Sequence, residues 1–329
     1  MAFVDDDIEA FEAETGISAE RLLTQLAPHC KGAVAVSYEA DPHSERGFAL
    51  TVRVQGKLSF ARIEALLQQH VLGLMPGAPG APSVALRTAR CGSIRTANGE
   101  DRRVFLPSFA GGVSLGSQDG RSGTFACRAW TPGDPTMYLL TCEHVLRGES
   151  EDFGHPVVQP GNPYRHTNDE PWVVGTLERC VGVRASGMNR ADAAIARVTA
   201  RSPEAGLHGG TAIPSWRQRR DVEAGASVYT SGAETGVAKG TVLSARVYAA
   251  WSFPGVTGKA RFGPLITTTS IAVPGDSGSL VLIDGDDSAV GLVAAVGYDT
   301  SSKGFITYIS PIDAVQDALQ VVVADHQWA

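Results

Sequence analysis

Three short stretches carry side chains that could act on one another chemically. In Pro274-Gly275-Asp276-Ser277-Gly278-Ser279 a serine stands at a glycine-flanked turn. Glycine lets such a turn bend sharply, presents the hydroxyl, and leaves backbone N–H groups open toward a developing negative charge. The plainer reading is a Gly-Asp-Ser turn joining two strands. In the second stretch an apolar run from Tyr138 enters Thr141-Cys142-Glu143-His144-Val145-Leu146, placing a histidine where a strand ends and a helical turn begins. Alone, such a histidine is more often structural. In the third, Met188 to Val198, Asp192 precedes an apolar strand. A carboxylate there is either a cap or turn residue, or a group buried behind an imidazole. Taken in order, His144, Asp192 and Ser277 are a base, its orienting acid and a nucleophile, which is the chemistry of acyl transfer through serine.

These residues need strands and turns to hold them. Glycine (37) and proline (18) make about one residue in six of the 329, against an average of roughly 12%, so many turns and a strand-rich chain are expected. From residue 111 onward, short apolar runs separated by Gly, Pro, Asp and Ser read as a β sandwich or barrel. Ser310-Pro311-Ile312-Asp313 reads as a helix cap with proline at the first helical position, followed by Val315 and Leu319 one turn apart. A short closing helix over residues 311–321 is expected. Before residue 95 the texture differs. Apolar spacing between Asp5 and Leu26 suits two short helices, the second capped by Ser18. Strands are expected over residues 33–38, 48–55 and 83–90, with a helix over 59–70. Residues 1–95 thus read as a small α+β accessory domain and 96–110 as a linker.

Composition excludes several classes. An apolar fraction of 43% with 19% charged residues is ordinary for a globular chain and not for a disordered or rod-like one. The net charge of −7, with no long basic block, argues against a nucleic-acid partner. Apolar runs are too short for a membrane span, and Met1 to Ala10 lack the charged-then-apolar order of a secretory signal, so a cytoplasmic location is expected. The five cysteines are scattered, with no C-x-x-C pair for zinc or redox chemistry, and are expected as free thiols. Arginine outnumbers lysine 23 to 5, which reads as a GC-rich bacterial origin.

The motifs T-x-x-H-V, D-A-A-I-A and G-D-S-G-S, in that order, resemble the chymotrypsin/trypsin-fold serine peptidases. Within that superfamily the chain is most similar to intracellular bacterial trypsin-like proteins and plant narrow-leaf-type proteases. The likeness extends to Gln159-Pro160-Gly161, to the hairpin Gly232-Ala233-Glu234-Thr235-Gly236, and to Val290-Gly291-Leu292. Thr141-Cys142-Glu143 and Ala233-Glu234 depart from the pattern without being expected to touch a reacting atom. The G-x-S-x-G elbow of α/β-hydrolases is not matched, and their chain order is also wrong.

The resemblance implies a mainly β, two-barrel chymotrypsin-like fold, with a peptidase domain over 111–329 and barrels at about 111–205 and 221–310. It implies a triad of His144, Asp192 and Ser277, an oxyanion hole from the N–H groups of Gly275 and Ser277, and no metal or cofactor. The primary specificity pocket would have Ile271 and Ala272 at its base and Ala294, Ala295, Val296 and Gly304 on its walls. With no carboxylate between Pro264 and Pro274, a small or medium apolar residue is expected before the scissile bond. A shifted alignment would bring Asp299 to the rim and reverse that preference. The approach to the barrel through Ala110 to Leu115 lacks a zymogen activation sequence, so Asp276 is expected to find a donor within the chain. The functional expectation is a serine endopeptidase acting on a protein or peptide, with a regulatory partner for the first domain. The alternative is a protease-fold protein that binds a peptide with little or no turnover.

Overall fold

Apolar runs punctuated by glycine and proline become strands, several of them buried on both faces. The computed structural model describes residues 5–29, 34–40, 48–55, 85–91, 95–96, 106, 108–118, 121–147, 153–161, 173–207, 212–299 and 304–323. It opens with two helices, α1 (Asp5–Thr15) and α2 (Ala19–Leu26). Ser18 caps α2, its Oγ accepting from the Arg21 N–H at 3.1 Å. Strands β1 (Val34–Ala40), β2 (Phe48–Gln55), β3 (Ala85–Cys91) and the two-residue β4 (Arg95–Thr96) follow. The helix expected at residues 59–70 lies outside the described residues.

Two curled sheets hold the remaining strands. The first contains β5 (Ser114–Ser117), β6 (Ser122–Thr124), β7 (Cys127–Trp130), β8 (Met137–Thr141), β9 (Pro156–Val158), β10 (Val173–Cys180) and β11 (Ala194–Val198). Their spatial order is β6-β5-β9-β10-β11-β8-β7. A four-residue helix, α3 (Glu143–Leu146), leaves the end of β8. The second sheet is built on β12 (Ser227–Gly232), β13 (Gly236–Ser252), β14 (Lys259–Thr269), β15 (Leu280–Ile283), β16 (Ala289–Asp299) and β17 (Gly304–Pro311). These six pair in a closed ring, β12 to β13, β14, β17, β16, β15 and back to β12. Ring closure satisfies strand edges that would otherwise be left open.

The last helix, α4 (Ile312–Leu319), buries Ile312, Val315 and Leu319 in a core shared with Leu140 and Ile195 of the first sheet and Leu280 and Leu292 of the second. It begins one residue later than the sequence suggests. Ser310 is not its cap, because β17 keeps pairing through Pro311, opposite Gly291, and Pro311 takes the cap position. No helix among the described residues is long and apolar enough to cross a membrane.

The first strands join the ring. β1 lies antiparallel on the far end of β13, with Val34 opposite Ala250, and β2 lies antiparallel on β1. β3 runs parallel to β2, an arrangement that needs a crossover of about a dozen residues or more, and residues 56–84 connect the two. Cys91 then sits opposite Asp299 at the end of β16, and β4 pairs antiparallel with β16, Thr96 opposite Ala295 and Arg95 opposite Val296. Helices α1 and α2 cover one face of this extension, packing Phe11, Leu22, Leu23 and Leu26 on Val36, Tyr38, Phe48 and Tyr248. Fully burying one such side chain is worth about 1.5–3 kcal/mol, enough in sum to hold the segment on the ring.

Candidate active site

Register places Asp192 beside His144. β8 and β11 are antiparallel, with Thr141 opposite Ala194. Continuing that register past the end of β8 brings Asp192 alongside Glu143 and His144. Asp192 Oδ1 accepts from the N–H of Glu143 at 2.8 Å and of His144 at 3.3 Å, while Oδ2 meets His144 Nδ1 at 2.5 Å. Both side chains are fully buried. The Asp192 N–H donates to Ser310 Oγ at 3.0 Å, so the serine that reads locally as a cap braces the acid instead. Phe253 stands edge-on to the imidazole, with ring centroids 5.9 Å apart. With Nδ1 engaged, Nε2 is the ring nitrogen left to handle a proton, and it is buried with no hydrogen-bond partner.

The serine turn is tied down from three sides. Asp276 N–H donates to Val273 O at 3.0 Å, and Ser279 N–H donates to Asp276 O at 2.9 Å. Gly275 and Gly278 have φ of 106° and 91°, a region that L side chains rarely adopt. At Gly278 space also decides, since an added Cβ would lie 2.0 Å from Thr141 Oγ1. Thr141 ends β8, three residues before His144, so this contact sets the serine turn against the histidine turn. A shared acceptor reinforces it: Val293 O takes the Gly278 N–H at 2.8 Å and the Cys142 thiol at 3.2 Å. Thr124 completes the seam, its N–H donating to Ser277 O at 2.7 Å and its Oγ1 to Gly275 O at 3.0 Å. Nothing in the sequence marks Thr124, because its role depends on a partner about 150 residues away.

Asp276 has internal donors. Its Oδ1 accepts from the N–H of Glu234 at 2.8 Å and of Thr235 at 3.2 Å. Its Oδ2 accepts from the Val273 N–H at 2.9 Å and from the Thr235 hydroxyl. Four donors satisfy a buried carboxylate that would be costly without them. They also fasten the Gly232–Gly236 hairpin to the serine turn.

The two departures from the expected motifs both lie at the site. Glu143, besides its N–H to Asp192, accepts through its carboxylate from Arg147 and from the N–H groups of Gly182 and Val183. Burial, and next the charge of Asp192, push Glu143 above its usual 4.5. Burial likewise pushes the Cys142 thiol well up, with the Asp192 charge adding to it. Glu234 Cγ lies 2.5 Å from where a Cβ on Gly275 would stand, so its side chain rests on the glycine expected to form the oxyanion hole.

Around the expected pocket, Ile271, Ala272 and Val296 are buried in one apolar cluster with Val293, and Ala294 is fully buried. Ala295 belongs to a different cluster, with Trp251 and Phe262. Gly304 is half-buried, opposite Asp299 across the β16–β17 turn. Asp299 is only 3% exposed and faces the Arg53 guanidinium of β2, Nε to Oδ2 at 3.8 Å. Cys142, His144 and Asp192 also place donor atoms within 4.8 Å of one another. That trio would suit a soft metal by type, but its oxygen and imidazole are already joined in one hydrogen bond. The described cysteines Cys127, Cys142 and Cys180 stand outside any disulfide.

No family model matches the chain, and no curated protein matches it in sequence. Among solved structures it is similar to Thermobifida fusca Protease A, at 20% identity over 66% of this chain and 98% of that one, with a TM-score of 0.46. It is likewise similar to a Nocardiopsis protease, at 19% identity over 66% and 99% of the two chains, with a TM-score of 0.47. A Cellulomonas bogoriensis chymotrypsin gives 20%, 66%, 98% and 0.45. The strand pairing of this chain, a closed six-stranded ring beside a second curled sheet with a closing helix, is a mainly β, two-barrel chymotrypsin-like fold.

Proposed function

We propose that the chain is a serine peptidase acting on protein or peptide substrates through a covalent acyl-enzyme. The observation that carries the reading is the buried Asp192–His144 pair, with Nε2 unpaired, fixed against the serine turn through Thr141 and Val293 O. In this reading His144 Nε2 takes the Ser277 hydroxyl proton as the oxygen attacks the carbonyl carbon, then returns it to the leaving amine. Asp192 holds the tautomer and stabilises the imidazolium. The N–H groups of Gly275 and Ser277 receive the oxyanion, each donor worth roughly 3 kcal/mol in a hole of this kind. Water then attacks the acyl-enzyme by the same proton path in reverse.

An apolar preference before the cut is supported by the burial of Ile271, Ala272, Ala294 and Val296, and by the engagement of Asp299 with Arg53. An entering lysine or arginine would find Asp299 already engaged by Arg53, a costly burial. Three described cysteines outside any disulfide support a reducing compartment.

Ser277 is 0% exposed, which favours a second reading, a protease-fold protein that holds a peptide with little turnover. A fluorophosphonate probe separates the two. Stoichiometric labelling of Ser277, abolished in Ser277→Ala and His144→Ala, is expected of the peptidase. Folded protein that binds peptides yet never labels, even at high probe concentration, would establish the second reading.

A further inference from the structure

A peptide cut at Ser277 must lie extended beside the serine turn, and main-chain pairing with a sheet edge is the general way to hold a peptide whatever its side chains. The strand beside that turn is β16. Val293 donates to Ser279 O at 2.9 Å and accepts from the Gly278 N–H at 2.8 Å, so residues 294–296 lead directly away from the nucleophile. One edge of β16 is taken by β17 along its length, from Gly291 to Asp299. The other is taken by β15 only as far as Leu292. Beyond that point, the edge nearest the serine turn is where an extended substrate would add.

That edge is already occupied by the chain itself. Thr96 pairs with Ala295, Arg95 with Val296, and Cys91 with Asp299. Because the β4 pairing is antiparallel, the chain passing from Arg95 to Thr96 is heading toward Val293 and the serine turn. Two features hold it there. β3 is locked to β2 by seven parallel pairs from Ala49–Ala85 to Gln55–Cys91. Arg53 of β2 reaches Asp299 at the far end of β16, with the two side chains only 12% and 4% exposed. The catalytic groups, meanwhile, are covered: Ser277 is 0% and His144 1% exposed.

We propose that β4 is a built-in occupant of the substrate groove, so that the peptidase is self-occluded and is switched on by release of residues 95–96. This rests on the peptidase reading above. The Asp192–His144 bond is already made and Asp276 already has four donors, so neither acid awaits a new partner. Activation is therefore displacement of a strand and not formation of a new amino terminus.

The test compares the full chain with two released forms. Thr96→Pro cannot keep a strand N–H in the ladder, and Arg95→Gly/Thr96→Gly loosens the same pairing through chain entropy. A tethered competitor acts at an effective concentration of about millimolar. Release is therefore expected to raise kcat/KM toward peptides with four residues before the cut by about tenfold or more. Fluorophosphonate labelling, which uses only the serine and its hole, should rise by less. A synthetic peptide of residues 91–98 should then inhibit the released forms competitively at about millimolar concentration. Labelling of wild type and variants with unchanged peptide kcat/KM would overturn the proposal, as would failure of the peptide to inhibit. Absence of labelling in every folded form would overturn the peptidase reading and this proposal with it. Should Thr96→Pro fail to fold, the glycine pair decides.

Discussion

Replacing Asp192 by asparagine preserves shape but exchanges one acceptor oxygen for a donor, and the surroundings dictate which way the amide turns. At present Oδ1 takes two backbone N–H groups, at 2.8 and 3.3 Å, and Oδ2 faces Nδ1 at 2.5 Å. Asparagine has a single oxygen to place. Facing the ring, it would aim its NH2 at the buried N–H groups of Glu143 and His144, and each donor left unsatisfied costs about 1–3 kcal/mol. Turned the other way, the oxygen serves both N–H groups while the NH2 donates to Nδ1. The second orientation is favoured by about 2–6 kcal/mol, and it forces the ring proton onto Nε2, the atom that must accept from Ser277. A base held in the wrong tautomer loses about ten-thousand-fold in rate, or about 5.5 kcal/mol. The second-order rate of fluorophosphonate labelling measures this directly, with near-UV circular dichroism confirming the fold. Folded Asp192→Asn protein labelling within about tenfold of wild type would refute both the assigned tautomer and the role of His144.

Further outcomes follow from the same contacts. Gly278→Ala, with φ at 91° and a Cβ 2.0 Å from Thr141 Oγ1, should cost about 2–6 kcal/mol from backbone strain and overpacking, read as a lowered urea midpoint with loss of labelling. Because Glu143 is held above 4.5 in the folded state, its proton is bound more tightly there, so its contribution to stability falls as pH rises from 4.5 through the raised folded value. The stability of wild type relative to Glu143→Gln should fall over that interval, and a pH-independent difference between their urea midpoints would count against it. Cys127 and Cys142, both buried, should resist alkylation in native protein, whereas all five thiols should titrate after denaturation without reductant.

The residues proposed as catalytic were legible because each stands at a strand end with a local signature: an apolar run into His144, an aspartate before Ala194, glycines around Ser277. Antiparallel register then does what spacing suggests. Ser310 shows where local reading stops, since Ser-Pro-Ile-Asp is a sound cap signal, yet pairing of Pro311 with Gly291 outweighs it and sends the hydroxyl to the Asp192 N–H. The apolar run after residue 33 announces a strand but not all its neighbours, because the pairing of β1 with β13, over two hundred residues on, leaves no trace in local periodicity. Local sequence ties Glu234 to no reacting atom, and only the fold of its hairpin onto Asp276 lays it on Gly275.

The attachment of β1 to β13 and of Cys91 to Asp299 also sets a timetable for biosynthesis. The ribosome delivers residues 34–91 early, but the last of their partners emerges roughly two hundred residues later. At about 5–20 residues per second that is a wait of about 10–40 s. During it the early strands offer bare backbone edges to any other nascent chain. A message truncated before Asp299 never ends the wait, and its product exposes both the early strands and an open ring. Chaperone demand, and the aggregation risk of premature stops, should accordingly persist until β17 has emerged and closed the ring.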